Sequence, residues 1–155
     1  MPMKYLRRAI ELASVHSVSG NNGPFGAVIV KDNQIIGEGW NRVIELNDPT
    51  AHAEINAIKS ACQHIQSPDL SGSILYTSCE PCPMCLSAAY WAHIDSIFYA
   101  CSKYDANEIG FDDEAIYAEL QFDNANKKIK LTQALHEEGK KVFENWKDND
   151  NKIMY

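Results

Sequence analysis

The 155-residue sequence holds no apolar run near the ~18 residues that a membrane-crossing helix needs. A helical membrane span is therefore excluded. There is no internal repeat of useful length and no low-complexity segment, which argues against a solenoid or a disordered chain. Basic residues are few: Lys and Arg number 14 against 21 Asp and Glu, for a net charge of −7. Their densest groups, Lys127, Lys128 and Lys130, then Lys140 and Lys141, read as solvated faces. Tight binding to a phosphate backbone needs clustered cations that displace counterions, so no nucleic-acid partner is expected. The stretch from Met1 to Arg8 lacks the apolar segment and small-residue cleavage site of a secretory signal, and a cytoplasmic location is expected. Cysteine is present five times, an odd count that argues against a disulfide framework.

What is present begins with 45% hydrophobic residues, enough for the core of one domain. Leu6, Ala9, Ile10 and Ala13 fall at helical spacing, which predicts a helix over 5–18. The β-branched run 25–30, the turn signal Asp32-Asn33 and the run 35–40 predict a hairpin. Asp48-Pro49-Thr50 suggests the start of a helix over 50–64. Strands are expected at 73–77 and 96–100, with a helix over 82–92 between them. Beyond these, a short helix is expected at 113–120, a fifth strand at 129–132 and a last helix at 135–147. Alternation of helix and strand implies right-handed crossovers and a partly parallel sheet covered on both faces. The expected fold is a three-layer α/β/α sandwich with a mixed sheet of about five strands, a single domain over 1–155.

Three of the five cysteines, Cys79, Cys82 and Cys85, fall within seven residues. Cys82 and Cys85 stand one turn apart at a helix start, so their sulfurs share a face. His52 opens the preceding helix and completes a set of zinc-type ligands. Helix N-termini favour negative charge and help hold thiolates. Three protein ligands leave one position open, which distinguishes a catalytic zinc site from a structural one. Zinc lowers the pKa of bound water from about 15.7 to about 7. Glu54, two residues after His52, is placed to carry the proton. Cys79 is the nearby alternative ligand and reads as a packed thiol. Cys-x-x-C alone also fits structural zinc or a redox pair, and His-x-Glu alone carries little. Joined in this order they specify an activated water with a proton carrier.

The combination His52-Ala53-Glu54 with Pro81-Cys82-Pro83-Met84-Cys85 resembles the signature of the zinc nucleobase deaminases. The resemblance to the cytidine deaminase superfamily covers residues 5–122. It is carried by Gly23-Pro-Phe-Gly-Ala-Val-Ile-Val-Lys-Asp32, Asn47-Asp-Pro-Thr-Ala-His-Ala-Glu54 and Leu75-Tyr-Thr-Ser-Cys-Glu-Pro-Cys-Pro-Met-Cys85. Gly110-Phe-Asp-Asp113, with Tyr155, is most similar to the short bacterial guanine deaminases. That resemblance implies one zinc per subunit and hydrolysis of guanine to xanthine and ammonia. It implies a pocket with Asn41 as donor to a ring acceptor and Phe25 stacked on the purine. Turn chemistry after Trp40 and ordinary core packing are the other readings of these two residues. Asp113 would accept from guanine or deliver a proton to the leaving amine, or else cap the helix that follows. Trp91 is a candidate lining residue whose other reading is helix-face packing. The resemblance further implies a homodimer with an exchanged C-terminal segment, in which Tyr155 closes the partner's pocket. The stretch 123–139 departs from the family. Alternatives are tRNA adenosine deaminase, cytosine or triazine deaminase, and a non-catalytic zinc-stabilised scaffold.

Overall fold

Asp32 and Asn33 both take positive φ, 49° and 62°, the conformation that a two-residue hairpin turn requires. They join β1 (Gly26–Lys31) to β2 (Gln34–Trp40) with Lys31 opposite Gln34. The computed structural model, which describes residues 3–155, extends this hairpin into a mixed sheet. β1 pairs antiparallel with β3 (Ser73–Cys79), and β3 pairs parallel with β4 (Ser96–Cys101), in the order β2-β1-β3-β4. The parallel pair encloses a crossover helix, as parallel pairing requires.

Helices cover both faces of this sheet. Ala27 and Ile29 of β1 join Leu75 and three alanines, Ala53, Ala57 and Ala61, in one buried cluster. Val28 and Val30 join Tyr76, Tyr5 and Leu12 in the other. The continuous apolar run of β1 thus marks a strand buried on both sides. The first helix, α1 (Met3–Ser17), supplies Tyr5 and Leu12. A short α2 (Val43–Leu46) precedes α3 (Ala53–Ile65), whose alanines recur every fourth residue and face β2. That stripe of small residues meets Gly37 and Gly39. A Cβ on Gly39 would stand 2.2 Å from the carbonyl oxygen of Ala53. The helix therefore lies against bare strand backbone. The crossover helix is α4 (Pro83–Trp91), and β4 leads into α5 (Lys103–Glu108), closed by a capping box between Ser102 and Asp105.

The internal packing divides the chain into two units, Met1–Glu114 and Ala115–Tyr155. Helix α6 (Glu114–Leu120) spans the boundary. The second unit continues with a 3₁₀ turn at Asn124–Asn126 and ends with α7 (His136–Lys147).

Four strands, not five, form the sheet among the described residues. The expected strand at 129–132 is irregular chain. Its alternating Ile129 and Leu131 are both exposed, Ile129 at 82%. Alternation makes a strand only when a neighbouring strand accepts its backbone, and none does here. The expected helix start at Thr50 is also displaced, to Ala53. Asp48 instead closes a turn, accepting from the Thr50 amide at 2.8 Å and hydroxyl at 2.6 Å. The Ser-x-x-Asp box of α5 was visible in the sequence but too short to show a helical period. No helix among the described residues is long and apolar enough to cross a membrane.

Arg8 fastens α1 to β2 through two parallel bonds to Glu38, at 2.8 and 2.9 Å. This hydrogen-bonded guanidinium holds the Glu38 carboxyl below its ordinary range. Its contribution is therefore present above the unfolded value near 4.3 and lost as pH falls through the folded value. Both side chains are about a third exposed, 37% and 32%, so solvent screens the pair to at most about 1 kcal/mol. Glu38→Gln should lower stability by that much at pH 7 in urea unfolding, with the difference fading by pH 3. A difference unchanged between the two pH values would contradict this assignment.

Candidate zinc site and active site

β2 and β3 both run antiparallel to β1 and so end at the same end of the sheet, and α3 and α4 begin there. His52 is the N-cap of α3, in extended backbone at φ −69° and ψ 159°. Cys82 is the N-cap of α4 with nearly the same conformation, φ −66° and ψ 168°. Pro83 follows at the first helical position, where its missing N–H costs nothing. Cys85 lies one turn into α4 and is buried. Two helix N-termini thus converge, and both fields favour thiolate.

His52 Nδ1 stands 3.5 Å from each of the two sulfurs. All three ligand atoms lie within 4.8 Å of one another. A tetrahedral zinc, with bonds of ~2.3 Å to sulfur and ~2.0–2.1 Å to nitrogen, separates nitrogen and sulfur ligands by ~3.5 Å. The three residues therefore fit this ion. Cys79 does not turn toward them. Its thiol donates to the carbonyl of Ser102 at 3.5 Å, and burial pushes it up to about 12. In the protein alone, the contact with Cys85 draws the Cys82 thiol well below its ordinary range. Cys85 is driven up by the same contact and by burial. The contact with Cys82 raises His52.

Glu54, in the first turn of α3, is 6% exposed. The Thr77 hydroxyl donates to its Oε1 at 3.1 Å and the Cys85 thiol to its Oε2 at 3.4 Å. Burial raises its carboxyl above the ordinary range. A buried carboxylate beside an open three-ligand set can take and return protons.

The remaining candidates separate into two groups. Asn41 is 6% exposed. Its Oδ1 accepts from the amides of Gly23 at 3.4 Å and Val43 at 3.3 Å, which leaves the NH₂ end as donor. Phe25 meets Phe111 edge-to-face, with centroids 4.9 Å apart at 90°. Asp113 lies close enough to the ligand cluster to raise His52, and burial, then the nearby Cys82, raises Asp113 itself. Its Oδ1 is buried with no protein partner. The Glu114 amide is bonded by Asp112 at 3.1 Å. Trp91 stands apart. It ends α4, 70% exposed and ~13 Å along the helix axis from Cys82 at 1.5 Å per residue. Tyr155 belongs to the second unit and is exposed.

The family profile of the cytidine and deoxycytidylate deaminase zinc-binding region matches residues 2–101. The chain belongs to this deaminase family. The guanine deaminase of Bacillus subtilis is 48% identical over 97% of both chains. The crystal structure of that guanine deaminase covers 100% of this chain, and 99% of its own length, at a TM-score of 0.96 and 47% identity. A guanine deaminase structure from Nitrosomonas europaea matches 73% of this chain and 65% of its own at 31% identity and a TM-score of 0.67. The tRNA-specific adenosine deaminase of Haemophilus influenzae is 44% identical over 69% of this chain and 62% of its own. The deaminase thus falls in the guanine deaminase branch, and zinc is its cofactor.

Two side chains that contact the candidate residues were not singled out in the sequence. Thr77 reads there as an ordinary β-branched strand residue, although alternation with Leu75 places it on the side of the sheet that faces α3. Phe111 lies inside the Gly110–Asp113 motif, but its contact with Phe25 joins segments 86 residues apart in sequence order. Nothing local signals that pairing.

Proposed function

We propose that this deaminase converts guanine and water to xanthine and ammonia, with one zinc per subunit held by His52, Cys82 and Cys85. The observation that carries the reading is the buried Glu54 carboxylate lying against a ligand sulfur of a three-ligand set. Similarity to a guanine deaminase over 97% of both chains supports the choice of base.

Zinc supplies Lewis acidity that makes water nucleophilic near neutral pH. Glu54 takes the proton that water gives up and returns it to a ring nitrogen of guanine. Oxygen bonds to C2, the new C2 hydroxyl gives up its proton as the carbonyl forms, Glu54 or Asp113 carries that proton to the amine, and the bond from C2 to the exocyclic nitrogen breaks to release ammonia. The NH₂ of Asn41 donates to a ring acceptor, and Phe25 stacks on the purine face. The unpartnered Oδ1 of Asp113 supports its role, since a buried acceptor without a donor is costly unless a ligand supplies one. Trp91 is the weakest member of this set, because its exposure at the far end of α4 favours a contact other than substrate.

A tRNA substrate is not favoured, given the net charge of −7. Five free thiols suit the reducing cytoplasm. The chain 1–155 is read as one functional domain that works as a homodimer with an exchanged C-terminal segment, Tyr155 closing the other copy's pocket. The exposed Val142, Phe143 and Trp146 of α7, with Ile153 and Met154, support an apolar contact there. Gel filtration should give a dimer for the full chain and a smaller species, or lost activity, for a form lacking the last seven residues.

The assay that tests the function is product release by zinc-loaded protein supplied with guanine. Xanthine and ammonia should appear in equal amounts. Failure to release either would remove guanine as the substrate.

A further inference from the structure

Thr77 is fully buried in β3, paired to Ala27 on one side and Tyr99 on the other. Valine would fill the same volume and suit the strand equally well. A hydroxyl at such a position costs free energy to bury unless it is bonded. Its bond goes to one oxygen of Glu54, Oε1, at 3.1 Å. The other oxygen, Oε2, lies 3.4 Å from the Cys85 sulfur, on the side of the ligand cluster.

We propose that Thr77 is a positioning residue that fixes the rotation of the Glu54 carboxylate, tying down Oε1 and committing Oε2 to proton transfer. The inference rests on the proton-carrying role of Glu54 proposed above. The physical argument concerns a side chain with a freely turning terminal bond. A carboxylate is two-fold symmetric about its last torsion, and that torsion is soft. As a zinc ligand Cys85 is a thiolate and donates no hydrogen bond. Thr77 is then the side-chain donor that still holds Glu54. Without it the carboxylate turns, and proton transfer loses its aligned geometry, to which rates are steeply sensitive.

Two variants separate the hydroxyl from the methyl group: Thr77→Val keeps the shape and Thr77→Ser keeps the hydroxyl. In the zinc-loaded full chain, Thr77→Val should keep its zinc and its KM for guanine while kcat falls about 10- to 100-fold. Thr77→Ser should recover most of that kcat despite its missing methyl. A Thr77→Val enzyme within twofold of the parent kcat would overturn the proposal, as would a Thr77→Ser enzyme impaired as badly as Thr77→Val. Loss of zinc from Thr77→Val would do the same, by assigning Thr77 to the metal site itself. A second measurement needs no turnover. The thermal midpoint drop caused by Thr77→Val should be present with Glu54 and absent or reversed in a Glu54→Ala background, because removing the carboxylate leaves the buried hydroxyl without its partner. Equal shifts in both backgrounds would overturn the anchor. Coupling in this cycle together with no guanine turnover by the parent protein would reject the substrate and keep the Thr77–Glu54 pair.

Discussion

Glu54→Gln is expected to hold its zinc and to lose guanine turnover by about 10²- to 10⁴-fold, the range that general acid–base groups supply. Glutamine keeps the shape of the side chain. Its carbonyl oxygen can still accept from Thr77, and its NH₂ can face the Cys85 sulfur. No ligand is removed, since the candidate zinc ligands are His52, Cys82 and Cys85. What glutamine cannot do is accept and release a proton. The paired measurement is kcat by xanthine formation and zinc content by atomic absorption on the same preparation. A zinc-replete variant near the parent rate would remove Glu54 from the mechanism. A variant that loses zinc would show that Glu54 builds the site rather than operating in it.

Gly39→Ala is expected to lower stability by ~3 kcal/mol or more, at or above the upper end for overpacking. The new Cβ would lie 2.2 Å from the Ala53 oxygen, 2.4 Å from the Ala57 nitrogen and 2.9 Å from the Asn56 carbonyl carbon. These are backbone atoms, so no side chain can turn aside. Relief requires α3 to lift from β2. Ala53 stands between His52 and Glu54, so lifting the helix start also moves a zinc ligand and the proton carrier. The variant should therefore show a lower thermal midpoint and weaker zinc retention together. Gly139→Ala is the control. A Cβ at Gly139, on α7, meets nothing within 4 Å, and replacing an exposed helical glycine by alanine should raise stability by up to ~1 kcal/mol. Normal stability in Gly39→Ala would disprove the close approach of α3 to the sheet.

Much of the site was legible because its chemistry is local. His52 and Glu54 are two residues apart, Cys82 and Cys85 three, and a helix start puts each pair where zinc and water chemistry need them. The hairpin was legible because Asp32-Asn33 carries its own turn preference. Where the reading missed, the deciding forces were not local. The alternation at 129–132 suggested a fifth strand, but no neighbouring strand accepts its backbone. Asp48 looked like a helix cap and proved to close a turn, because its side chain reached Thr50 before any helix began.

The sequence by itself determined the ligand types, the candidate proton carrier Glu54, the thiolate-favouring helix starts and the sheet with helices on both sides. Each follows from residue chemistry and spacing within a few positions. Tertiary structure alone decided that His52 Nδ1 lies 3.5 Å from two sulfurs some thirty residues away. It also decided that Asn41 spends its Oδ1 on two backbone amides, and that Thr77 rather than another strand residue holds Glu54. These distances depend on strand register and on how closely α3 lies against Gly37 and Gly39, which are set by the packing of segments far apart in the chain.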